Sequence, residues 1–264
     1  MTVWAIANQK GGVGKTTTVV TLAGWLSKQG KRVLLIDTDP HASLTSYMGY
    51  DSDELVGTLY ELFKDPRQSR GLVGRLTLRT SFENISLIPG SITLATLDRM
   101  LGNKEGMGLV LSRALQSVKD LYDYVLIDSP PVLGVMMVNA MAASDRVIVP
   151  VQTEFLAQKG LERMIKTFTL MQRSRPGGFQ YTIVPTMFDR RTRASLQTLD
   201  TIKEAYGDSV WNAVIPVDTK FRDASLQHIP LSLFAPESRG AQAYASLLTY
   251  VQQLDKKQED NSKR

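Results

Sequence analysis

The chain has 264 residues, 43% of them hydrophobic, and a formal net charge of +5. That length suits one α/β domain with a proper core, and the excess of basic residues favours an anionic partner through encounter and solubility rather than through fold. The chain has no cysteine, which excludes disulfides, thiolate metal sites and iron–sulfur clusters, and with them the iron–sulfur reductases.

No apolar stretch approaches the roughly 20 residues that span a bilayer, and strand residues begin at Val3 with no signal peptide before them, so a cytoplasmic protein is expected. Residues 3–7 form an apolar run that predicts a buried parallel strand. Gln9-Lys10-Gly11-Gly12-Val13-Gly14-Lys15-Thr16-Thr17 follows, and then a helix over residues 18–28 with Val19, Leu22, Ala23 and Leu26 on one face. Strand, glycine-rich turn and helix together make a phosphate-binding loop. The glycines let backbone N–H groups turn inward around a phosphate. The first helical turn adds unpaired N–H groups and a partial positive charge. Lys15 brings a full charge toward the terminal phosphates, and the Thr16 hydroxyl is placed to ligate Mg²⁺. The ordinary G-x-x-x-x-G-K-[ST] pattern needs glycine at position 9; Gln9 stands there, followed by a second lysine, Lys10.

Residues 32–37 predict a second strand, which ends in Asp37-Thr38-Asp39-Pro40-His41. Carboxylates at the carboxyl end of a parallel strand lie where such sheets bind ligands. Between 42 and 84 the pattern is less regular: short helices over 44–48 and 58–63, a turn at 49–53, and a loose group of Arg67, Arg70, Arg75 and Arg79 that reads as solvated surface. A third strand is expected at 85–89 and helices at 91–101 and 109–121. Residues 124–128 (Y-V-L-I-D) predict a fourth strand ending in Asp128, followed by Ser129-Pro130-Pro131. With a phosphate loop upstream, such an acid reads as a Walker B residue that reaches Mg²⁺ through water.

A helix over 135–143, a fifth strand at 146–151 and a helix over 154–171 come next, with Met136, Met137 and Met164 as core filling. A sixth strand at 181–185 leads into Asp189-Arg190-Arg191-Thr192-Arg193 and a helix over 194–206; a seventh strand, 213–215, ends at Pro216. The last helix spans 238–254 with Tyr244, Leu247, Leu248, Val251 and Leu254 on one face, and the polar tail 255–264 is expected to be disordered. Strand and helix alternate along the whole chain. This predicts one domain, residues 1–254, built as a doubly wound, mostly parallel sheet with helices on both faces.

The wording K-G-G-V-G-K-T-T at 10–17, D-T-D-P at 37–40 and D-S-P-P at 128–131 resembles the ParA/MinD ATPases with a deviant Walker A loop, and the resemblance covers nearly all of the chain. It implies a P-loop NTPase fold, ATP and Mg²⁺ as cofactors, and slow hydrolysis coupled to an ATP-sandwich homodimer in which Lys10 reaches the partner's nucleotide. It further implies that the loop residues 10–17 hold the phosphates, that Asp39 orients the attacking water, and that Asp37 and Asp128 stand with Thr16 at the metal. The segments after the sixth and seventh strands would line the adenine pocket, through Thr186 and Pro216. The usual adenine contact after the sixth strand is a polar side chain, often Asn, whereas Thr186 offers only a hydroxyl or backbone groups. His41 stands where glutamine is usual.

In the DNA-binding members, basic residues near the dimer edge contact DNA backbone, which carries over to Arg190, Arg191, Arg193, Lys220 and Arg222. With no helix-turn-helix evident, such binding would be independent of sequence. The tail lacks the large apolar residues of a MinD-type membrane helix, so stable membrane insertion is not expected. The wording from Asp39 to Asp53 resembles the ParC-type branch, which positions chemosensory arrays at a cell pole. The alternative is partition of a chromosome or plasmid on the nucleoid. The partner would be an array adaptor or a centromere-binding protein, acting as cargo or as activator of hydrolysis. A more remote alternative is an ATP-dependent biosynthetic enzyme on the same fold.

Overall fold

The computed structural model describes residues 1–65, 67, 69–101, 106–171 and 178–262. Its strands are β1 (Thr2–Ile6), β2 (Val33–Asp37), β3 (Leu78–Arg79), β4 (Ile85–Ile88), β5 (Tyr124–Asp128), β6 (Arg146–Gln152) and β7 (Tyr181–Thr186). They form one sheet in the order β3-β4-β2-β5-β1-β6-β7. All pairs are parallel except β3 with β4. Parallel strands covered by helices on both faces need apolar side chains at every position, and β2 is accordingly buried throughout. The register matters for function: Ile6 and Asp37 both stand level with Asp128. Three strands therefore end together at the carboxyl edge of the sheet.

On one face, α1 (Lys15–Lys28) and α12 (Arg239–Ser262) pack over Trp4, Ile6, Leu35 and Leu126. On the other, α3 (Tyr60–Lys64), α4 (Arg70–Leu76), α6 (Val110–Gln116) and α7 (Val135–Ala143) cover Val3, Ala5, Leu34 and Ile127. The helices α8 (Ala157–Met171) and α9 (Arg193–Tyr206) complete the core around β6 and β7. Short helices α2 (Ser43–Tyr47), α5 (Leu97–Leu101), α10 (Lys220–Leu226) and α11 (Leu231–Phe234) fill the connections. Met136, Met137 and Met164 are buried in these cores, as expected. No helix among the described residues is long and apolar enough to cross a membrane.

Several elements differ from expectation. No seventh parallel strand forms at 213–215. Pro216 instead makes an isolated bridge to Phe188, and the Ile215 N–H donates to the Pro185 carbonyl. Pro185 and Pro216 have no N–H to donate, so a regular ladder cannot propagate there. The actual seventh member is β3, a two-residue antiparallel edge on β4. The expected helix at 91–101 is a 3₁₀ turn, Ile92–Thr96, followed by α5; β-branched Ile92, Thr93 and Thr96 disfavour a regular start. The last helix does not stop at Leu254, and of the tail expected at 255–264 residues 263–264 lie outside the described residues. It runs to Ser262, and Asp255 accepts hydrogen bonds from the Trp4 indole at 2.8 Å and from Arg146 Nε at 2.7 Å.

Candidate nucleotide-binding site

The loop between β1 and α1 takes its shape from its glycines. Gly12 and Gly14 have φ of 73° and 91°, in the left-handed region that a side chain resists, and Gly14 caps α1 directly. The site groups then converge because β1, β2 and β5 end level. Lys15 is buried, and its Nζ donates to the Lys10 carbonyl at 3.1 Å, across the mouth of the loop. Burial lowers its pKa, while the charges of Asp128 and Asp39 pull the other way.

Thr16 Oγ1 donates to Asp128 Oδ2 at 2.6 Å, and Asp128 Oδ1 is buried with no hydrogen-bond partner among the described residues. An orphaned carboxylate oxygen beside a loop hydroxyl is the arrangement a hard cation would complete. Burial, with Asp37 next, pushes the Asp128 carboxyl up to about 8. A divalent cation there would offset that cost. No group of three or more His, Cys, Asp or Glu side chains capable of holding a metal exists among the described residues. The donors thus suit Mg²⁺ that takes few protein ligands and relies on substrate phosphates for the others.

Asp37 lies level with Asp128, but both of its oxygens are engaged. Oδ2 accepts from Thr45 N at 2.8 Å and Thr45 Oγ1 at 2.7 Å, and Oδ1 accepts from Asp39 N at 3.1 Å. Burial moves it up to about 6 despite those bonds. Its first role in this structure is to tie α2 and the Asp39 turn to the end of β2.

Lys10 points away from its own loop. Its Nζ forms an ion pair with Glu154, just after β6, and its backbone N–H donates to Asn8 Oδ1 at 3.1 Å. Gly160 on α8 leaves room for this, since a Cβ there would come within 3.3 Å of Lys10 Cβ. Glu154 carried no sequence signal of its own; only its position after β6 could have raised it.

Beside the loop lies a cavity of about 810 Å³, lined by Gly14, Thr17, Thr186, Pro216 and Asp218, with Tyr244 closing it from α12. The expected adenine residues Thr186 and Pro216 do border it. The Thr186 hydroxyl, however, donates to the Val13 carbonyl at 2.9 Å, so it braces the phosphate loop and toward a base can act only as an acceptor. Tyr244, read from the sequence as a packing residue only, bonds Thr18 Oγ1 at 2.8 Å, and Thr18 Oγ1 donates to the Gly14 carbonyl at 2.7 Å.

The five basic residues expected to meet DNA are all exposed. The loop after β7 and the segment before α10 are joined by hydrogen bonds between Phe188 and Ile215 and between Val217 and Phe188, which brings both groups to one edge. Two of the five are paired locally, Arg191 with Asp189 and Lys220 with Asp223. Arg190, Arg193 and Arg222 make no ion pair among the described residues, and Arg222 also lines the cavity.

Comparison with known proteins agrees with this geometry. The family described as "AAA domain" matches residues 1–179. The sporulation initiation inhibitor protein Soj of Bacillus subtilis is 38% identical over 248 residues, 94% of this chain and 96% of Soj. The chromosome partitioning protein ParA of Caulobacter vibrioides is 36% identical over 252 residues, covering 94% of this chain and 93% of that one. Among solved structures, the cobyrinic acid a,c-diamide synthase of Mycobacterium smegmatis with bound ADP and magnesium superposes with a TM-score of 0.82 at 34% identity, covering 97% of this chain and 96% of that one. A second structure of that protein holds an ATP analog and magnesium.

Proposed function

The chain belongs to the ParA/MinD family of P-loop ATPases, and from that premise we propose that it is a nucleotide switch, passing from a monomer to an ATP-bound sandwich dimer that positions cargo. One observation carries this reading: Lys15 stays inside its own loop while Lys10 leaves it for Glu154. A lysine that faces out of its loop is available to a facing subunit's nucleotide. There negative charge is dense, water is excluded and Coulomb attraction is strong.

The roles follow from placement. Residues 11–17 wrap the phosphates, with Lys15 on the β/γ oxygens. Thr16 and Asp128 hold Mg²⁺, with Asp37 behind them. Held there, the cation would supply positive charge against the phosphate oxygens. Asp39 orients the attacking water, and the nucleoside occupies the cavity next to Pro216. Phosphoryl transfer to water needs positioning and charge rather than covalent chemistry, and these residues supply both.

Cargo is the finer question. Similarity to partition proteins along most of the chain supports DNA partition, as does the basic edge formed by Arg190, Arg191, Arg193, Lys220 and Arg222. The array-positioning reading rests on the wording from Asp39 to Asp53 alone. The name of the M. smegmatis protein favours a third reading, ATP-dependent amide synthesis. This chain has no cysteine, so it offers no thiolate to release ammonia from glutamine.

The deciding experiment measures mass by light scattering and duplex binding together, with and without ATP and Mg²⁺. The expected result is an ATP-dependent dimer that binds random duplex with affinity falling steeply with salt, and weaker binding with a shallower salt slope when all five basic positions are neutralised. A chain that stays monomeric at saturating ATP defeats the switch. A dimer whose duplex binding survives charge removal defeats the assigned edge.

A further inference from the structure

The turn after β2 is built around one carboxylate. Pro40 follows Asp39, and the Asp39 carbonyl accepts from Ala42 N at 2.9 Å, closing a β-turn with His41 at its third position. Ala42 adopts φ of 51°, and α2 begins at the next residue. Both ends of the turn are tied to buried Asp37, through Asp39 N on one side and Thr45 on the other. The backbone that carries Asp39 is therefore fixed.

Its side chain is held by a different device. Asp39 Oδ1 accepts from His41 N at 3.0 Å, the bond that any aspartate opening such a turn makes whatever residue stands at 41. The same oxygen lies 2.8 Å from His41 Nδ1. This second contact requires a side chain with a donor bonded to Cγ, which histidine has and glutamine, the usual residue in the resembled family, does not. Oδ2 makes no hydrogen bond among the described residues, and the carboxylate is only 13% exposed. Its charge is felt by Lys15 and by Asp128, so it stands at the site. The His41 ring is itself 77% exposed, which argues against a packing role.

We propose that His41 is a positioning residue for ATP hydrolysis: its Nδ1–H clamps Oδ1 of Asp39, leaving Oδ2 set toward the attacking water. With Oδ1 held by the backbone alone, the carboxylate turns more freely about its Cβ–Cγ bond, and the water loses a fixed acceptor. The imidazole then carries its proton on Nδ1, and Nε2 faces away from Asp39. The proposal rests on the reading of Asp39 as the water-orienting group.

The test compares kcat at saturating ATP with affinity for a non-hydrolysable ATP analogue in His41→Ala, His41→Asn, Asp39→Ala and the double variant His41→Ala/Asp39→Ala. Removing one such hydrogen bond is expected to lower kcat about tenfold in His41→Ala, with analogue affinity unchanged. Asn places an amide nitrogen where Nδ1 stands, so His41→Asn should restore most of the rate. The double variant should be no slower than Asp39→Ala, because His41 acts only through Asp39. Slow Asp39→Ala with normal His41→Ala overturns the proposal and leaves the reading of Asp39 intact; normal turnover in Asp39→Ala overturns both. Loss of analogue affinity in His41→Ala, or no recovery with Asn, also overturns it, since either would mean that the ring acts by something other than its Nδ1 donor.

Discussion

Lys15 and Lys10 share a loop and a charge but have different surroundings. Lys15 is buried, donates to the Lys10 carbonyl and feels the charges of Asp128 and Asp39, so removing it takes a buried cation away from the place where an anionic ligand would sit. Lys15→Ala is expected to lower ATP affinity at least a hundredfold, the loss of about 3 kcal/mol that goes with a charge-assisted contact. Calorimetry that finds affinity unchanged would remove this loop from the nucleotide site. The phosphate loop and the acids that close β2 and β5, Asp37 and Asp128, could be placed from the sequence, whereas the water-orienting role of Asp39 is a proposal that came from the family resemblance. Glu154, Tyr244 and the ring of His41 could not be placed, because each acts through a partner distant in sequence or through a side-chain rotamer. Sequence spacing specifies neither. Thr186 shows the same limit from the other direction, since its placement at the cavity was expected but its bond to Val13 was not.

At the scale of elements, the C-terminal helix is more than a lid on the sheet. Arg146 is 4% exposed at the start of β6, and its guanidinium Nε is held by Asp255, which also accepts from the Trp4 indole. One carboxylate thus ties α12 to two strands. Asp255→Ala leaves a buried cation unpaired and is expected to cost about 3 kcal/mol of stability, the usual scale for breaking a buried pair by removing one partner. Urea unfolding checks this; a midpoint equal to that of the parent chain would show that α12 ends functionally at Leu254. A polar stretch carries no periodic apolar signal, so the sequence reads as fraying where the fold supplies buried partners. Tyr244 on the same helix, bonded to Thr18, connects α12 to the base of the phosphate loop.

At the scale of the whole molecule, the proposed complete site belongs to two subunits. Mixing Lys10→Ala with Lys15→Ala subunits tests it. In a mixed dimer one site lacks both lysines, and the other keeps its own Lys15 and receives the partner's Lys10. If Lys10 acts in trans, mixed dimers should recover about half of normal turnover per dimer, given independent sites. No recovery in verified mixed dimers would place Lys10 at its own subunit's nucleotide. In the proposed dimer Lys10 would exchange its ion pair with Glu154 for the partner's phosphate oxygens.

By itself the sequence determined the six parallel strands, most of the helices between them, the sheet class and the phosphate loop. Those features are written in local periodicity and in short contiguous motifs: apolar runs such as residues 33–37 and 124–128 are buried on both faces and tolerate little else. Tertiary structure decided what residues far apart do to one another. It set Ile6, Asp37 and Asp128 level through strand register, engaged both oxygens of Asp37 with Asp39 and Thr45, left one oxygen of Asp128 open, and took Lys10 across to Glu154. The physical reason is that hydrogen bonds and ion pairs depend on ångström-scale geometry between elements, whereas hydrophobic periodicity fixes only which face of each element turns inward.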